Sequence, residues 1–483
     1  MIMSDSNLRL PGRIAVFAVA HAKYWAQFPT LRGKLEEYHN ELCKKLADFG
    51  AEVADFGIID SERQGYELLP RLKAADCDVW FCNMITYATS SVFAPIMRDA
   101  ARPVELTALQ PLHALDFTKA NTLMQHENDC ICSVPEYVGV ANRLGKKISD
   151  VIIGTLNGDE KADAELLEWC KIAAVLRALH GARIGLMGHV LEAMYDMHAD
   201  PTAVSAAFGL HVPLLEPDSI LPYEKAVTEA EIAAKSAEIC EKFDRPDPVS
   251  DPITKKLTDE DLRDSARSAV ALEKFIKDNK LNGLAYYYEG LEGSEVRRAI
   301  SSLIVGNSLL IGRGFPMCGE FDIKTCIAML IMDRLGIGGS FAELHPFDFD
   351  SNCILIGHDG PHHIAIAEGK PVIRSLLKYH GKEGSGASVE FKIKEGPITM
   401  LGITQDANGR FRFIIGEGES QSGPIPPTGN TNTRAVFKPS TREYIKKWVM
   451  AGPTHHYALG IGHHAETIKK IADVLGIDAQ IIK

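Results

Sequence analysis

A continuous apolar strand near the start of the chain limits the fold more than any other feature. Arg13–Ala20 reads Arg-Ile-Ala-Val-Phe-Ala-Val-Ala, without the polar alternation of a half-exposed strand. Such a strand is covered on both faces, as in a parallel sheet with helices on each side. A helix predicted at Thr30–Phe49 and strands predicted at Asp78–Met84 and Pro103–Leu109 continue the alternation. The first segment is therefore predicted to be a doubly wound parallel sheet.

Chain length and a later change of pattern predict three domains. A chain of 483 residues is too long for one core. A second α/β alternation begins with a strand near Ala182, and short strands punctuated by Gly and Pro follow after about Gly338. We predict two Rossmann-like α/β domains, over residues 1–178 and 179–337. An antiparallel β-barrel domain with terminal helices is predicted over residues 338–483.

Three local features are also predicted within the second and third domains. One helix is expected at Glu295–Val305, and a short strand at His363–Ala367. Asp406-Ala-Asn-Gly409 has the composition of a hairpin turn, because Asn and Gly tolerate the left-handed backbone that such turns need.

Composition and charge exclude several classes of protein. The net charge of −12 argues against non-specific nucleic-acid binding. No apolar run approaches the roughly 20 residues needed to cross a bilayer, and Met1–Pro11 lacks the apolar segment of a signal peptide. We therefore expect a cytoplasmic protein with neither a membrane nor a nucleic acid as partner. No Gly-x-Gly-x-x-Gly follows the first strand, so a dinucleotide cofactor is not expected.

Polar and aromatic side chains follow two of the predicted N-terminal strands. His21 and Tyr24 come directly after the first strand, and Gln110 follows the strand predicted at Pro103–Leu109. In doubly wound sheets, ligands bind at the carboxyl ends of the strands. We therefore expect these three residues to contact a small-molecule substrate.

Two acids and several histidines in the C-terminal third form a candidate site. Glu320, Glu343, His358 and the pair His455-His456 lie beside Gly or Pro, where a helix or strand pattern breaks, so loops are predicted there. Carboxylates combined with imidazoles suit Mn²⁺, Co²⁺, Fe²⁺ or Zn²⁺, whereas Ca²⁺ prefers oxygen ligands alone. Adjacent histidines point in different directions, so one of the pair is expected to be a ligand. The other would contact substrate or structure.

Each of these residues also has an ordinary structural explanation. Alone, Glu320 would be a surface acid near the start of a helix that Asp322 caps. Glu343 would be a solvated loop acid, and His358 a hydrogen-bonded residue at a strand end. Together they predict a divalent-metal enzyme whose carboxylates move protons, and Asp359 is placed to orient an imidazole.

Five short motifs surround the candidate residues: Gly319-Glu-Phe-Asp-Ile-Lys-Thr325, Ser340-Phe-Ala-Glu343, Ile356-Gly-His358, Arg434-Ala-Val-Phe-Lys-Pro439 and Ala451-Gly-Pro-Thr-His-His456. In this order they resemble Gly-Glu-Gly-Asp-Trp-Lys-Thr, Ser-Phe-Met-Glu, Gly-Ser-His, Arg-Ala-Val-Trp-Lys-Pro and Ala-Gly-Gly-Ala-His-His. Those are motifs of the L-arabinose isomerase family, within the wider L-arabinose/L-fucose isomerase group. The resemblance covers most of the chain, with its specific motifs in the C-terminal part, and indicates a divergent member.

The resemblance implies an aldose–ketose isomerase, an intramolecular oxidoreductase of carbohydrate metabolism that works through an enediol. The implied cofactor is Mn²⁺, or Co²⁺ or another divalent metal, and its implied ligands are Glu320, Glu343, His358 and His456. Asp359 is the alternative to His358. Glu320 and Glu343 are then the catalytic acid/base pair, in either order, and His455 contacts the sugar. The family also implies a homo-oligomer, a trimer-based hexamer with sites between subunits.

One departure from the family leaves the substrate open. The chain reads Ala20-His-Ala-Lys-Tyr-Trp25 after the first strand, where family members have Gly-Ser-Gln-His-Leu-Tyr-Gly in a loop expected to contact the sugar. A metal-dependent hydrolase or lyase acting on a carbohydrate and a non-catalytic sugar-binding protein are the alternative functions. The lack of a His-Glu-x-x-His motif counts against the first, and the retained acid pair counts against the second.

Overall fold

The computed structural model describes residues 9–191, 194–245, 257–360, 362–375, 387–426 and 430–483. The chain divides into two compact units, one formed by Leu10–Arg177 and the other by Met1–Arg9 with Ala178–Lys483. The three domains expected over residues 1–178, 179–337 and 338–483 stay a prediction. Most of the segment expected to lack a signal peptide, residues 1–8, lies outside the described residues. Within the described ranges, no helix is both long enough and apolar enough to span a membrane.

The unit Leu10–Arg177 is built on a parallel sheet, as predicted. Its strands span Arg13–Val19 (β1), Glu52–Ile59 (β2), Val79–Met84 (β3), Val104–Gln110 (β4) and Asp150–Thr155 (β5). They lie in the order β2-β1-β3-β4-β5 with parallel pairings. The helices span Tyr24–Gln27 (α1), Leu31–Asp48 (α2), Glu62–Ala74 (α3), Ser90–Arg98 (α4), Thr122–Asn128 (α5), Val134–Arg143 (α6) and Glu160–Leu179 (α7), which continues past Arg177.

Burial explains which strands could be predicted. Every residue of β1 after Arg13 is buried, and so is every residue of β3. Such central strands are written as unbroken apolar runs. The edge strand β5, where Ile153 is 59% exposed, was not predicted, whereas the other edge strand, β2, was predicted at Ala51–Phe56.

The second unit begins with another parallel sheet, again as predicted. Its strands span Ile184–Met187 (β6), Leu214–Leu215 (β7), Gly283–Tyr286 (β8) and Met317–Cys318 (β9), in the order β7-β6-β8-β9. The helices span Pro201–Phe208 (α8), Leu221–Lys225 (α9), Glu229–Lys242 (α10), Asp259–Asp278 (α11), Glu295–Ser301 (α12), Ile304–Gly312 (α13) and Ile323–Arg334 (α14). Short 3₁₀ turns lie at Tyr195–Met197 and Pro217–Ile220.

The single helix predicted at Glu295–Val305 is wrong, because the structure has two helices there, α12 and α13. The hydroxyls of Ser301 and Ser302 donate to the backbone carbonyls of Arg297 and Arg298, at 2.7 and 2.8 Å. Serine hydroxyls that bind backbone carbonyls in this way compete with the helical hydrogen bonds. The helix therefore ends at the serine pair and a new one begins at Ile304.

The remainder of this unit contains the predicted β-barrel. Its strands span Gly338–Asp348 (β10), Cys353–His358 (β11), Val372–Ser375 (β12), Ala387–Glu390 (β13), Gly396–Gln405 (β14), Phe411–Gln421 (β15), Thr431–Val436 (β16), Tyr457–Ile461 (β17) and Asp478–Ile481 (β18). Six antiparallel strands in the order β14-β17-β10-β11-β16-β15 are closed by pairing of β14 with β15. Strand β18 adds to β15 in parallel, and β12 and β13 form a separate hairpin. Helices Thr441–Met450 (α15) and Ala465–Leu475 (α16) complete the chain.

Two local predictions in the barrel region have opposite outcomes. The strand expected at His363–Ala367 is wrong, because Ile364–Ile366 is a 3₁₀ turn whose bonds run from Ile366 N to His363 O and from Ala367 N to Ile364 O. The hairpin turn is confirmed between β14 and β15. There Gly409 has a φ of +76° and its N–H donates to the carbonyl of Asp406.

Helix α14 is buried along its whole length and positions the candidate site. Asp322 is its N-cap, since the carboxylate accepts from the backbone N–H of Thr325. The helix contacts β8 and β9 of the parallel sheet and β10, β14 and β17 of the barrel. The loop that enters α14 is thus held between the sheet and the barrel.

Candidate metal centre

Glu320 lies in a strained turn between β9 and α14. Its φ is +61° and that of Phe321 is +65°, both in the left-handed region that is uncommon outside glycine. The backbone N–H of Phe321 donates to the carbonyl of Tyr286 at the end of β8, with an N···O distance of 3.0 Å. Glu320 is only 8% exposed. The turn therefore directs a carboxylate into buried space.

Three side chains from distant parts of the chain meet at this turn. Oε2 of Glu320 lies 3.3 Å from Nε2 of His456. One ligand atom from each of Glu320, His358 and His456 falls within 4.8 Å of the others. Among the described residues, none donates a hydrogen bond to the buried Oε2 of Glu320. A buried carboxylate oxygen without a donor is the kind of group that a bound cation satisfies, because the cation compensates the ionised form that burial disfavours.

The ring of His456 is oriented by Asp322. Nδ1 of His456 lies 3.2 Å from Oδ2 of Asp322, and the same carboxylate accepts from the hydroxyl of Thr325 at 2.8 Å. An acid at Nδ1 keeps the proton on that nitrogen and leaves the lone pair of Nε2 directed at Glu320. Burial lowers the pKa of His456 below its usual value, so the neutral ring is favoured. Burial opposes ionisation of Asp322, but the hydrogen bond and charge of His456, together with the charge of Lys324, outweigh it and the pKa of Asp322 is lowered.

His358 ends β11, and its ring lies beside that of His456, with the two centroids 5.1 Å apart. The ring centroid of Phe341 lies 4.3 Å from that of His358 and 4.4 Å from that of His456. Nδ1 of His358 is 3.2 Å from a carboxylate oxygen of Asp359, but within the described residues this nitrogen forms no hydrogen bond. Burial, together with the neighbouring His456, holds the pKa of His358 well below its usual value. A neutral imidazole is the form that binds metals.

Glu343 approaches the same group from the middle of a barrel strand. The prediction that it lies in a loop is wrong, because it pairs with Gly357 inside β10 and β11. Its Oε1 lies 3.8 Å from Nε2 of His358 and 3.9 Å from Nε2 of His345. Glu343 also falls within 4.8 Å of ring nitrogens of His455 and His456. Two overlapping groups of ligand atoms therefore share His456.

The two glutamates differ in their surroundings. Burial raises the pKa of Glu320 to about 8. Nearby carboxylates, Glu343 first among them, act in the same direction, whereas His455 opposes the shift. The side chain of Glu343 is 28% exposed, compared with 10% for Glu320. Glu343 is thus the more accessible of the two acids.

His455 is held by an acid that the sequence pattern did not indicate. Oδ2 of Asp196 accepts from the backbone N–H of His455 at 2.9 Å and is 2.7 Å from its Nδ1. Burial lowers the pKa of His455, but the hydrogen bond and charge of Asp196 outweigh burial, so the pKa is raised. The segment Tyr195-Asp-Met-His198 matches no metal or catalytic motif, and its sequence carries no signal of this contact.

His21, Tyr24 and Gln110 lie in the unit Leu10–Arg177, whereas the candidate metal ligands and His455 belong to the other unit. The ring of His21 lies 5.2 Å from that of Tyr24 and 6.0 Å from that of Tyr87. Tyr24 also contacts His126, with ring centroids 4.2 Å apart. Gln110 ends β4, and its amide donates to a backbone carbonyl two residues further on at 2.5 Å. All three therefore lie at the carboxyl ends of strands, with two in one aromatic cluster.

A separate group of possible metal ligands lies in the unit Leu10–Arg177. His39, Cys43 and Asp55 place ligand atoms within 4.8 Å of one another. Nε2 of His39 is 2.8 Å from Asp55, and its Nδ1 is 3.4 Å from the amide nitrogen of Asn83, so both ring nitrogens have partners. Burial raises the pKa of Cys43 to about 12, which keeps the thiol protonated. Unlike Glu320, none of these three residues has a buried side-chain oxygen or nitrogen left without a hydrogen-bond partner among the described residues.

A carboxylate and imidazole group between a parallel sheet and a closed antiparallel barrel defines an α/β protein with a candidate divalent-metal centre. Residues 338–478 match the family model described as the L-arabinose isomerase C-terminal domain. The chain is similar to L-arabinose isomerases over most of its length, at low sequence identity.

Similar proteins extend over both units. L-arabinose isomerase 1 of Bacillus licheniformis is 23% identical over 461 residues, which cover 93% of this chain and 90% of that protein. L-arabinose isomerase of Aeromonas salmonicida is 22% identical over 412 residues, or 84% of this chain and 80% of that protein. The enzyme of Clostridium beijerinckii is 22% identical over 355 residues, or 72% of this chain and 68% of that protein. The similarity is therefore low in identity and broad in coverage.

Proposed function

We propose that this protein is a metal-dependent aldose–ketose isomerase. The observation that carries the proposal is the buried Oε2 of Glu320, which lies 3.3 Å from Nε2 of His456 and accepts no hydrogen bond within the described residues. The similar proteins are named L-arabinose isomerases, which supports the same reaction class. The sugar itself stays open, because the loop after β1 departs from the family motif.

We propose that four residues hold one divalent metal ion, Mn²⁺ or Co²⁺ or a similar ion: Glu320, Glu343, His358 and His456. Their donors fit such an ion, because two carboxylates and two neutral imidazoles form a mixed oxygen and nitrogen set. A bound divalent ion supplies positive charge that stabilises the negative charge developing on the substrate oxygens. Asp322 orients the His456 imidazole, as acids beside ligand histidines commonly do, and we propose that Asp359 does the same for His358 once the metal is bound.

The two glutamates are proposed to move the protons. An aldose and its ketose differ by one proton transferred from C2 to C1 and one transferred between O2 and O1. Glu343 is the more accessible acid, so we assign to it the removal of the C2 proton and its return to C1. Glu320, buried beside His456, handles the hydroxyl proton. The intermediate between these steps is an enediol.

Four further residues are proposed to bind the sugar: His21, Tyr24, Gln110 and His455. His21 and Tyr24 offer ring faces and polar tips of the kind that pack on a sugar and bind its hydroxyls. Gln110 offers an amide at the end of β4. His455 lies within the group that contains Glu343 and His456.

We also propose that the protein is a homo-oligomer, a hexamer built from trimers, in the cytoplasm. This proposal rests on the resemblance to L-arabinose isomerases and on the sequence. Light scattering coupled to size-exclusion chromatography tests it, and a mass close to that of six chains is the expected result. A monomer at micromolar concentration contradicts it.

An aldose panel tests the activity. Purified protein is treated with chelator, reloaded with Mn²⁺ or Co²⁺, and assayed for ketose from pentoses, hexoses and deoxysugars. We expect ketose from at least one sugar, only with metal, and none above background from Glu320→Gln. Glu241→Gln is the matched control. It is the same isosteric substitution, made at a residue on α10 whose side chain is 73% exposed and away from the site. The proposal fails if no sugar in the panel yields ketose.

A further inference from the structure

The loop that contains the 3₁₀ turn Tyr195–Met197 places an acid outside the proposed metal and proton-transfer residues. Oδ2 of Asp196 accepts from the backbone N–H of His455 at 2.9 Å and lies 2.7 Å from Nδ1 of the same residue. One oxygen therefore fixes both the backbone and the ring of His455.

Asp196 is itself anchored to the helix that carries the metal-centre loop. Nζ of Lys324, a residue only 2% exposed on α14, donates to the backbone carbonyls of Asp196 and His198. Asp322, two residues before Lys324, binds Nδ1 of His456. The first turn of α14 thus supports both members of the histidine pair, one directly and one through the loop.

In both His455 and His456, Nδ1 contacts an aspartate, Asp196 and Asp322 respectively, so Nε2 is the nitrogen on the opposite side of the ring. With Nδ1 engaged by a carboxylate, the remaining ring nitrogen is Nε2. The two rings are close, with centroids 3.9 Å apart, and His455 lies within 4.8 Å of Glu343 and His456. His455 is therefore presented to the space where the sugar is proposed to bind.

We propose that Asp196 is a positioning residue for the isomerisation, which acts by holding His455 so that Nε2 contacts the sugar. This inference rests on the proposed function. Among the described residues, the Asp196 side chain is hydrogen-bonded to His455 and to none of the proposed metal ligands. Its effect on the reaction therefore passes through His455. A purely structural role would act through folding, but the His455 and Asp196 side chains are 36% and 43% exposed. Ion pairs that exposed contribute little to stability.

A double-mutant cycle separates these roles. Asp196→Ala, His455→Ala and the double variant are compared with the wild-type protein, loaded with Mn²⁺, using L-arabinose and the aldose that gives most ketose in the panel. Removing the charged acceptor is expected to lower kcat/KM by roughly 10- to 100-fold. The double variant is expected to be no slower than His455→Ala, because Asp196 has nothing left to position. Multiplication of the two single effects would overturn the inference.

Two controls address folding and metal binding. Asp200→Ala alters the same loop, since Asp200 caps α8 through the backbone N–H of Ala203, but it leaves His455 untouched. Its kcat/KM is expected to stay within about twofold of wild type, as for changes outside shared networks. The Mn²⁺ affinity of Asp196→Ala is expected to stay near the wild-type value. An equal loss of activity in Asp200→Ala, or a loss of Mn²⁺ affinity in Asp196→Ala, would overturn the inference.

A spectroscopic measurement distinguishes failure of this inference from failure of the proposed function. Nitrogen NMR of ring-labelled histidine reports which nitrogen of His455 carries the proton. We expect the Nδ1–H form in the wild-type protein and its loss in Asp196→Ala. If the wild-type protein converts no aldose, the proposed function fails. The positioning of His455 is then judged on these signals alone, and a ring unchanged by Asp196→Ala would overturn it.

Discussion

Nδ1 of His456 lies 3.2 Å from Oδ2 of Asp322, and this contact joins the proposed metal centre to the first turn of a buried helix. The same carboxylate caps α14 through the backbone N–H of Thr325. One acid therefore caps the start of a helix and fixes the tautomer of an imidazole. Folding of α14 and orientation of the His456 ring are coupled through it.

Asp322→Ala tests this coupling. We expect Mn²⁺ affinity to fall by roughly 10- to 100-fold, the range for loss of an acid that orients a ligand histidine. Loss of the N-cap is expected to lower the free energy of unfolding by about 0.5–2 kcal/mol. Calorimetric Mn²⁺ titration and urea unfolding in chelator measure the two effects. Thr258→Ala removes the N-cap of α11 and is the control, with a similar loss of stability and unchanged Mn²⁺ affinity.

Glu343→Gln tests the assignment of proton transfer at C2. We expect kcat to fall by roughly 100- to 10,000-fold, the usual contribution of a general base. Because Glu343 is also a proposed metal ligand, the variants are compared at saturating Mn²⁺, where sugar binding should survive since the amide keeps the size of the side chain. Exchange of a C2 deuteron with solvent, followed by NMR, should disappear in the variant. Turnover at the wild-type rate would contradict the assignment.

Phe341→Ala tests whether packing keeps the two imidazoles in place. Phe341 is fully buried and contacts the rings of His358 and His456, so the truncation should cost about 3–5 kcal/mol of unfolding free energy. Mn²⁺ affinity should fall with it. Phe413→Ala, a truncation of another fully buried barrel residue, should destabilise similarly without changing Mn²⁺ affinity. Equal affinities in the two variants would rule out a specific contribution of Phe341.

The pKa of Glu320 predicts how the stability of the metal-free protein varies with pH. Its pKa rises from an ordinary 4.5 to about 8 in the folded protein because the carboxylate is buried. The unfolded chain therefore loses this proton first, and the contribution of Glu320 to stability falls as pH rises between those two values. As pH rises from about 4.5 to about 8, the unfolding free energy of the wild type should therefore fall relative to that of Glu320→Gln. Urea unfolding in chelator at a series of pH values measures it, and a difference independent of pH would contradict the shift.

The parallel sheets were predictable from the sequence because their central strands are unbroken apolar runs. Strand β10 was not, because Gly338 and Gly339 adopt φ values of +97° and +108° and Pro346 lies within the strand. Glycine and proline are typical of loops when only neighbouring residues are considered, so Glu343 was predicted to lie in a loop. Its strand is specified by partners far along the chain, β11 and β17.

The candidate site was only partly predictable. Glu320, His358 and His456 stood out because acids and histidines beside Gly or Pro are recognisable locally, and their proposed roles stay predictions. Asp196 could not be found, since it lies 259 residues from His455 in sequence. Contacts of this kind depend on tertiary packing, which no local pattern reports.

The position of Glu320 has a consequence for how this protein can be divided. The segment that matches the L-arabinose isomerase C-terminal domain, residues 338–478, includes Glu343, His358 and His456. It excludes Glu320, together with the acids at 196 and 322 that bind the histidine pair. An exchange of modules at residue 338 would split the group across the junction. In evolution or in the laboratory, a barrel grafted onto a foreign sheet would inherit histidines without the acids that set their tautomers.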